Sequence, residues 1–186
     1  KKSVQQNFPT ELRNSETADL FMVEILFRLK DNGRVGIVLP DSFLDGSDST
    51  KIAIKKKLLE ECNLHTIIRL PNSVFKPYAS VPTNLLFFDK TSKTKEIWYY
   101  RLDLPDGYKA FSKTKPIELK HFNDVIQWWD NRTEIKDEII NDNNDMNSWK
   151  SKKVPIEEIV KNNYSLNFCG YPIEKEVILS PKETVN

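Results

Sequence analysis

The sequence predicts an α/β fold on a mixed sheet, with parallel strands, antiparallel strands at the end, and C-terminal helices. Three observations carry this prediction. From Glu16 to Leu70 the elements alternate helix, strand, helix, strand, the grammar of an α/β sheet. The strands are continuously apolar rather than alternating, which marks strands covered on both faces. The loop from Pro71 to Pro82 holds three prolines and shows no helical pattern. A parallel return needs a crossover, usually a helix, so the strand after this loop is expected to come back antiparallel.

In order along the chain, Leu20, Phe21, Ile25, Leu26 and Leu29 recur at helical spacing between Glu16 and Asp31. Ser15 or Thr17 can cap the start, and Gly33 sits where a left-handed C-terminal cap belongs. "RVGIVLP", Arg34 to Pro40, is the first strand, followed by the polar loop "DSFLDGSDST". A second helix, Thr50 to Glu61, places Ile54, Leu58 and Cys62 on one stripe, and "LHTIIRL", Leu64 to Leu70, is the next strand. The crossover between these two strands is expected to be right-handed. Thr83 to Asp89 then returns antiparallel, and "EIWYYRLDL", Glu96 to Leu104, is expected to extend that edge after the turn "KTSKTK". Alternation sends Trp98 and Tyr100 to one face and Tyr99 to the other.

Further on, Leu119 to Arg132 reads as an amphipathic helix with Phe122, Val125, Ile126 and Trp129 inward. Its adjacent Trp128 and Trp129 cannot both face inward on that reading, which leaves one for a contact elsewhere. Residues 133–153 are polar, rich in Asn and Asp, and read as a mobile insertion. A short helix with Pro155 near its first turn follows, then an extended segment, "NYSLNFCGYP", Asn163 to Pro172. No internal repeat is present.

Composition narrows the function. With 39% hydrophobic and 30% charged residues the chain reads as a globular domain. No stretch approaches the roughly 20 apolar residues of a membrane span. "KKSVQQNFPTELRN" has no apolar run behind its basic start, so it does not read as a secretory signal. Without an initiator Met, the chain reads as a piece of a longer one. Net charge is +1, so binding to nucleic acid has to come from local patches. Lys51, Lys55, Lys56 and Lys57 form one cluster, and Lys150, Lys152 and Lys153 another; a solvated face explains either as readily. Cys62 and Cys169 have no CxxC spacing and read as incidental thiols of a reducing cytoplasm. His65 and His121 lie too far apart in sequence to suggest a zinc site. The five glycines never form a phosphate-cradling loop, so no nucleotide-type pocket is expected within the chain.

In open α/β sheets ligands bind beyond the carboxyl ends of the parallel strands. The loops "PDSF" and "PNSVFKPY" both lie there and are expected to face one crevice. Proline fixes its own φ and restricts the residue before it, so the second loop is stiff. Phe75 and Tyr78 in that loop either grip a ligand or pack down on the sheet.

Four stretches together, "TADLFMVEILFRLKDNGRVGIVLPDSFL", "IKKKLLEECNLHTIIRLPNSVFKPYASVPTNLLFFDK", "YYRLDLPDGYKAFSKTKPIE" and "NYSLNFCGYP", resemble the modification (M) subunit of type I restriction-modification systems, an adenine-specific DNA methyltransferase. The resemblance implies a partial Rossmann-like methyltransferase sheet over residues 1–132, the C-terminal half of a catalytic domain. Residues 154–186 would then be a short helix and tail. It implies S-adenosylmethionine as methyl donor for the full-length enzyme, and a flipped-out adenine of DNA as acceptor. It also implies as partners a specificity (S) subunit, a restriction (R) subunit and a second M subunit.

The motifs similar to DPACGTG and NPPF that carry donor binding and catalysis in the family are not in this sequence, and would lie upstream of Lys1. "QQNFPTEL" contains Asn7, Phe8 and Pro9 in the wrong order for the second. Hence no catalytic, cofactor-binding or metal residue is expected here, no cofactor for the chain alone, and no activity of the isolated chain. The alternative is a non-catalytic binding module for the S subunit or DNA. By the resemblance, Phe75 first and Tyr78 next are candidates to contact the extruded base. Pro40, Asp41 and Phe43 are candidates to shape the same pocket, and Lys51, Lys55 and Lys76 to touch phosphates, which positions a duplex without reading its sequence. Asn84, at the pocket mouth, is expected to satisfy turn backbone. Half a sheet would leave one edge open to self-association.

Overall fold

In the computed structural model, which describes residues 5–137 and 149–171, a mixed sheet forms the centre. Its strands are β1 (Arg34–Pro40), β2 (Asn63–Arg69), β3 (Thr83–Asp89), β4 (Glu96–Arg101), β5 (Ile135–Lys136) and β6 (Trp149–Pro155). They are ordered β1-β3-β2-β4-β6-β5. The helices are α1 (Thr17–Arg28), α2 (Asp41–Asp45), α3 (Ser49–Glu61), α4 (Asn123–Asp130) and α5 (Ile156–Lys161).

β3 returns antiparallel, as its helix-free connection predicts, but it does not cap an edge. It inserts between β1 and β2, pairing antiparallel with both. β1 and β2 therefore run in the same direction without pairing. Because both edges of β3 are occupied, β4 cannot extend it as expected. It passes beyond β2 and pairs parallel with it, Thr66 opposite Trp98 through Arg69 opposite Arg101. Buried Thr94 secures the crossing: its Oγ1 accepts from Leu64 N and donates to the Cys62 carbonyl, each at 2.8 Å.

One core packs α1, α3 and α5 on a face of the sheet with Leu39, Ile67, Leu86, Phe88 and Tyr99. The other face carries Ile68, Leu70, Tyr100 and Leu102 beneath α4. Tyr99 and the pair Trp98 and Tyr100 thus part to opposite faces, as alternation requires. β1 departs from the expectation of burial on both faces. Val38 is 48% exposed and Arg34 and Gly36 are exposed, because Val35, Ile37 and Leu39 pack on the first core while the cluster beneath α4 takes in no residue of β1 on the other face.

Helix faces are shifted from the expected stripes. In α1 the buried residues are Asp19, Met22, Val23 and Leu26, while Phe21 is exposed. No side chain of Ser15 or Thr17 caps the helix, whose N-cap position is Glu16. The left-handed residue after α1 is Asn32, with φ 62°, not Gly33. Gly33 answers a close approach instead, since a Cβ there would lie 2.8 Å from the Lys30 carbonyl oxygen. In α4, which follows a 3-10 turn at Leu119–Phe122, Val125 and Trp128 are buried and Ile126 is half exposed. Both tryptophans reach the sheet: Trp128 packs on Tyr100 with ring centroids 4.9 Å apart, and Trp129 on Phe87 at the same distance.

The flanks of the polar stretch 133–153 build β5 and β6; residues 138–148 lie outside the described residues. "WKSKKVP" hides a strand because its lysines lie along aromatic surface, as Lys153 does over the Trp98 ring at 5.6 Å. Segment 163–171 feeds Leu166, Phe168 and Cys169 into the first core.

Candidate functional site

The shared partner β3 brings the ends of β1 and β2 to one edge of the sheet. Pro40 lies opposite Thr83, and Arg69 opposite Asn84. Asp41 N donates to the Pro82 carbonyl and Leu70 N to that of Thr83, each at 3.0 Å. The loops "PDSF" and "PNSVFKPY" therefore leave side by side, as expected from strand direction.

Beneath them lies a buried polar network. Asn84 Nδ2 donates to Asp41 Oδ1 at 2.5 Å, and Arg69 Nε donates to Asn84 Oδ1 at 3.2 Å. Arg69 Nη2 lies 3.4 Å from Asp41 Oδ1 and donates to Asn167 Oδ1 at 2.7 Å. The guanidinium sits 4.4 Å from the centre of the Tyr171 ring. Burial first, and then the Asp41 charge, push the Tyr171 hydroxyl pKa up. Arg69 and Asn84 are fully buried, and a buried charge is tolerable only when paired and hydrogen-bonded. The network ties four segments together: the ends of β1 and β2, the start of β3, and the stretch after α5.

Above the network, Pro71 to Ala79 is a chain of turns, with Val74 N, Lys76 N and Tyr78 N bonded to the Pro71, Ser73 and Phe75 carbonyls. The Lys76–Pro77 peptide is cis. Phe75 is 41% exposed and Tyr78 87%. Tyr78 thus does not pack down on the sheet, and Phe75, partly covered, belongs to neither apolar cluster.

The other candidates separate. Pro40 is half-buried at the rim. Asp41 is buried and engaged by Arg69 and Asn84, so it positions rather than lines an open pocket. Phe43 is fully buried in the first core. Lys76 is exposed on the aromatic loop. Lys51 and Lys55, expected at phosphates, are instead turned inward. Lys51 Nζ donates to Glu16 Oε1 at 2.6 Å and lies 3.4 Å from Asp19 Oδ2 and 3.8 Å from Asp48 Oδ2. Lys55 Nζ donates to the Leu44 and Gly46 carbonyls at 3.2 and 2.7 Å, fastening α2. A lysine four positions on from another shares its helix face, and this face of α3 is the buried one.

Burial lowers the Lys55 pKa to about 8. The unfolded chain, with an ordinary lysine pKa near 10.4, therefore holds more protons between the two values, and stability contributed by this site rises with pH across that window. The thiol of Cys169, pushed up to about 12 by burial, contributes the opposite slope above its ordinary range. The test is a difference: relative to Lys55→Met, the native chain is expected to gain on the order of 2 kcal/mol from pH 8 to pH 10. Urea melts of both proteins at each pH measure it, and parallel curves would refute it.

Arg69, Asn167 and Tyr171 were not singled out by sequence. Asn84 was, but as a satisfier of turn backbone, whereas its side chain bridges Arg69 and Asp41. The available signal was Arg69 itself, a charge inside the apolar run "LHTIIRL". A charge inside such a strand requires a partner.

The strand ends do not fit a nucleotide or donor cradle. β1 runs into Pro40–Asp41, β2 into Leu70–Pro71 and β4 into Leu102–Asp103, none with the glycines that let backbone approach a ligand. Among the described residues no cluster of His, Cys, Asp and Glu could hold a metal ion, and no helix is long and apolar enough to cross a membrane.

Comparison with known proteins places the chain. The profile of the family described as N-6 DNA Methylase matches residues 1–177. The methylase subunit of the type I restriction enzyme EcoEI from Escherichia coli is 46% identical over 175 residues, 94% of this chain and 34% of that subunit. The crystal structure of a modification subunit of a putative type I restriction enzyme from Vibrio vulnificus YJ016 superposes with a TM-score of 0.73 at 37% identity, over 86% of this chain and 31% of that one. A structure described in terms of complex assembly and conformational transition of the type I restriction-modification system superposes at 0.75, also 37% identical, over 98% of this chain and 37% of that one. The chain thus spans about a third of the length of these relatives.

Proposed function

Because the chain belongs to the N-6 DNA methylase family and is similar to type I methylase subunits, we propose that it forms the base-gripping half of a DNA adenine methyltransferase domain. The single observation that carries this reading is the loop at the carboxyl end of β2, which holds Phe75 and Tyr78 exposed on a proline-stiffened, turn-bonded frame. An extruded adenine offers a π-face to such a ring, and stacking of this kind is worth roughly 1–3 kcal/mol. A pre-formed loop loses little freedom on binding. Phe75, the less exposed of the two, supplies the stacking face, and Tyr78 is the second candidate.

S-adenosylmethionine supplies the methyl group in this reading. The described residues lack the glycine turns to hold it, so its binding and the catalytic turn belong to the parts of the parent subunit outside this chain. The role of these residues is to orient the base and to keep the two loops in register through Arg69. The S subunit, which selects the DNA sequence, the R subunit and a second M subunit are the partners this reading assigns. The solved type I assembly supports a multi-subunit setting.

The deciding experiment uses the full-length subunit with its S subunit, DNA and labelled donor. N6-methyladenine in the duplex supports the reading; methyl transfer to any other atom, or none, overturns it. The isolated 186-residue chain is expected to bind neither the donor tightly nor to methylate. A saturable donor-binding isotherm in calorimetry would refute that division of labour.

A further inference from the structure

The segment from Asp103 to Ile117 has no role so far, yet it is built against the aromatic loop. Phe111 N donates to Ser73 Oγ at 2.9 Å, fixing the segment to the first turn of that loop. Phe111 is buried, and its ring packs with His121 at 5.2 Å and Tyr108 at 5.8 Å, while Tyr108 also meets His121 at 5.8 Å. Gly107, at φ 77°, allows the chain to turn ahead of this trio. Asp103 is occupied by Arg101, whose Nε donates to Asp103 Oδ1 at 2.7 Å.

Between the two anchored rings lies Lys109, exposed at a bend. There it meets Lys76 across a polar notch of about 80 Å³, lined also by Asn72, Ser73 and Leu104. Both lysines are exposed, and no carboxylate lines the notch. Two ammonium groups and an amide lining one notch that holds no carboxylate suit a phosphodiester, whose anionic oxygens accept from several donors at once.

We propose that this notch, with Lys76 on one wall and Lys109 on the other, binds a backbone phosphate of the DNA beside the extruded base. The inference rests on the base-gripping reading above and extends it to a segment that reading does not use. It also replaces Lys51 and Lys55, which are committed to the interior. Because the Ser73–Phe111 hydrogen bond joins the two loops, the phosphate contact and the aromatic face keep a fixed separation. That would place the strand relative to Phe75 before any base is flipped.

The test is the salt dependence of duplex binding by the full-length subunit assembled with its S subunit. Each phosphate contact neutralised by a lysine contributes about 0.9 to the slope of log K against log salt. Lys109→Gln is expected to lower the slope by about that amount on cognate and unrelated duplexes alike, Lys76→Gln likewise, and Lys109→Arg to restore it. Slopes equal to the native complex would overturn the proposal. So would failure of the Lys109→Gln subunit to assemble with S, since the notch would then be a protein contact. Should the native complex itself methylate no adenine, the base-gripping reading falls; an unaltered slope in an active complex removes only the notch.

Discussion

Replacing Phe75 with alanine in the full-length subunit is expected to cut methyl transfer by roughly 5- to 150-fold, the factor that corresponds to ~1–3 kcal/mol of base stacking. The ring is 41% exposed and anchors no core, since neither apolar cluster contains it. The loss therefore falls on the complex with an extruded base and not on folding. Donor binding is expected to remain intact, because the strand ends around the loop hold no donor cradle. Phe75→Trp keeps a π-face and should retain most of the rate. Tyr78→Ala should cost less, since Tyr78 stands almost clear of the protein at 87% exposure. Turnover of Phe75→Ala equal to native would remove the aromatic loop from the reaction and direct attention to the rest of the parent subunit.

Replacing Arg69 with methionine is expected to cost about 3–5 kcal/mol of stability, the range found when one member of a buried charged pair is removed. Asp41 would stay buried with its charge unpaired, and Asn84 and Asn167 would each lose a donor. For a chain of this size the loss corresponds to a fall of roughly 6–20 °C in Tm. Arg69→Lys is expected to recover only part of it. A single ammonium cannot reach Asn84, Asn167 and Asp41 from the fork positions the guanidinium uses. Thermal melting by circular dichroism of the three proteins decides it, and a loss below about 1 kcal/mol would show that the network contributes little to holding the four segments. The same network explains how loops from distant parts of the chain keep register at the site. Arg69 and Asn167 are separated by 98 positions and joined by one hydrogen bond.

The strands β1 to β4 were legible because each is a compact run of apolar or β-branched residues bounded by turn formers. The direction of β3 followed from its helix-free, proline-bearing connection, and the common edge of the two loops followed from strand direction. The lysine assignments failed for a physical reason. Lys51 and Lys55 resemble solvated lysines in composition, but α3 turns them toward Glu16 and Asp19 in the first case and toward the Leu44 and Gly46 carbonyls in the second. The face of a short helix is set by what packs on it, and the stripe in α1 moved for the same reason: Asp19 faces inward because Lys51 meets it there.

The sequence by itself determined the fold class, the order and type of most elements, the family, and the aromatic loop at the strand ends. Local signals suffice for these: periodicity, turn residues and motif spacing act within a few positions of the chain. The tertiary structure alone decided that β3 lies between β1 and β2, that β4 joins β2 in parallel, that a lysine-bearing strand completes the sheet, and that Arg69 holds the site together. Strand order and buried pairing are settled by contacts between residues tens of positions apart. A charged side chain can be buried wherever the fold brings it a partner, and no local pattern announces that partner.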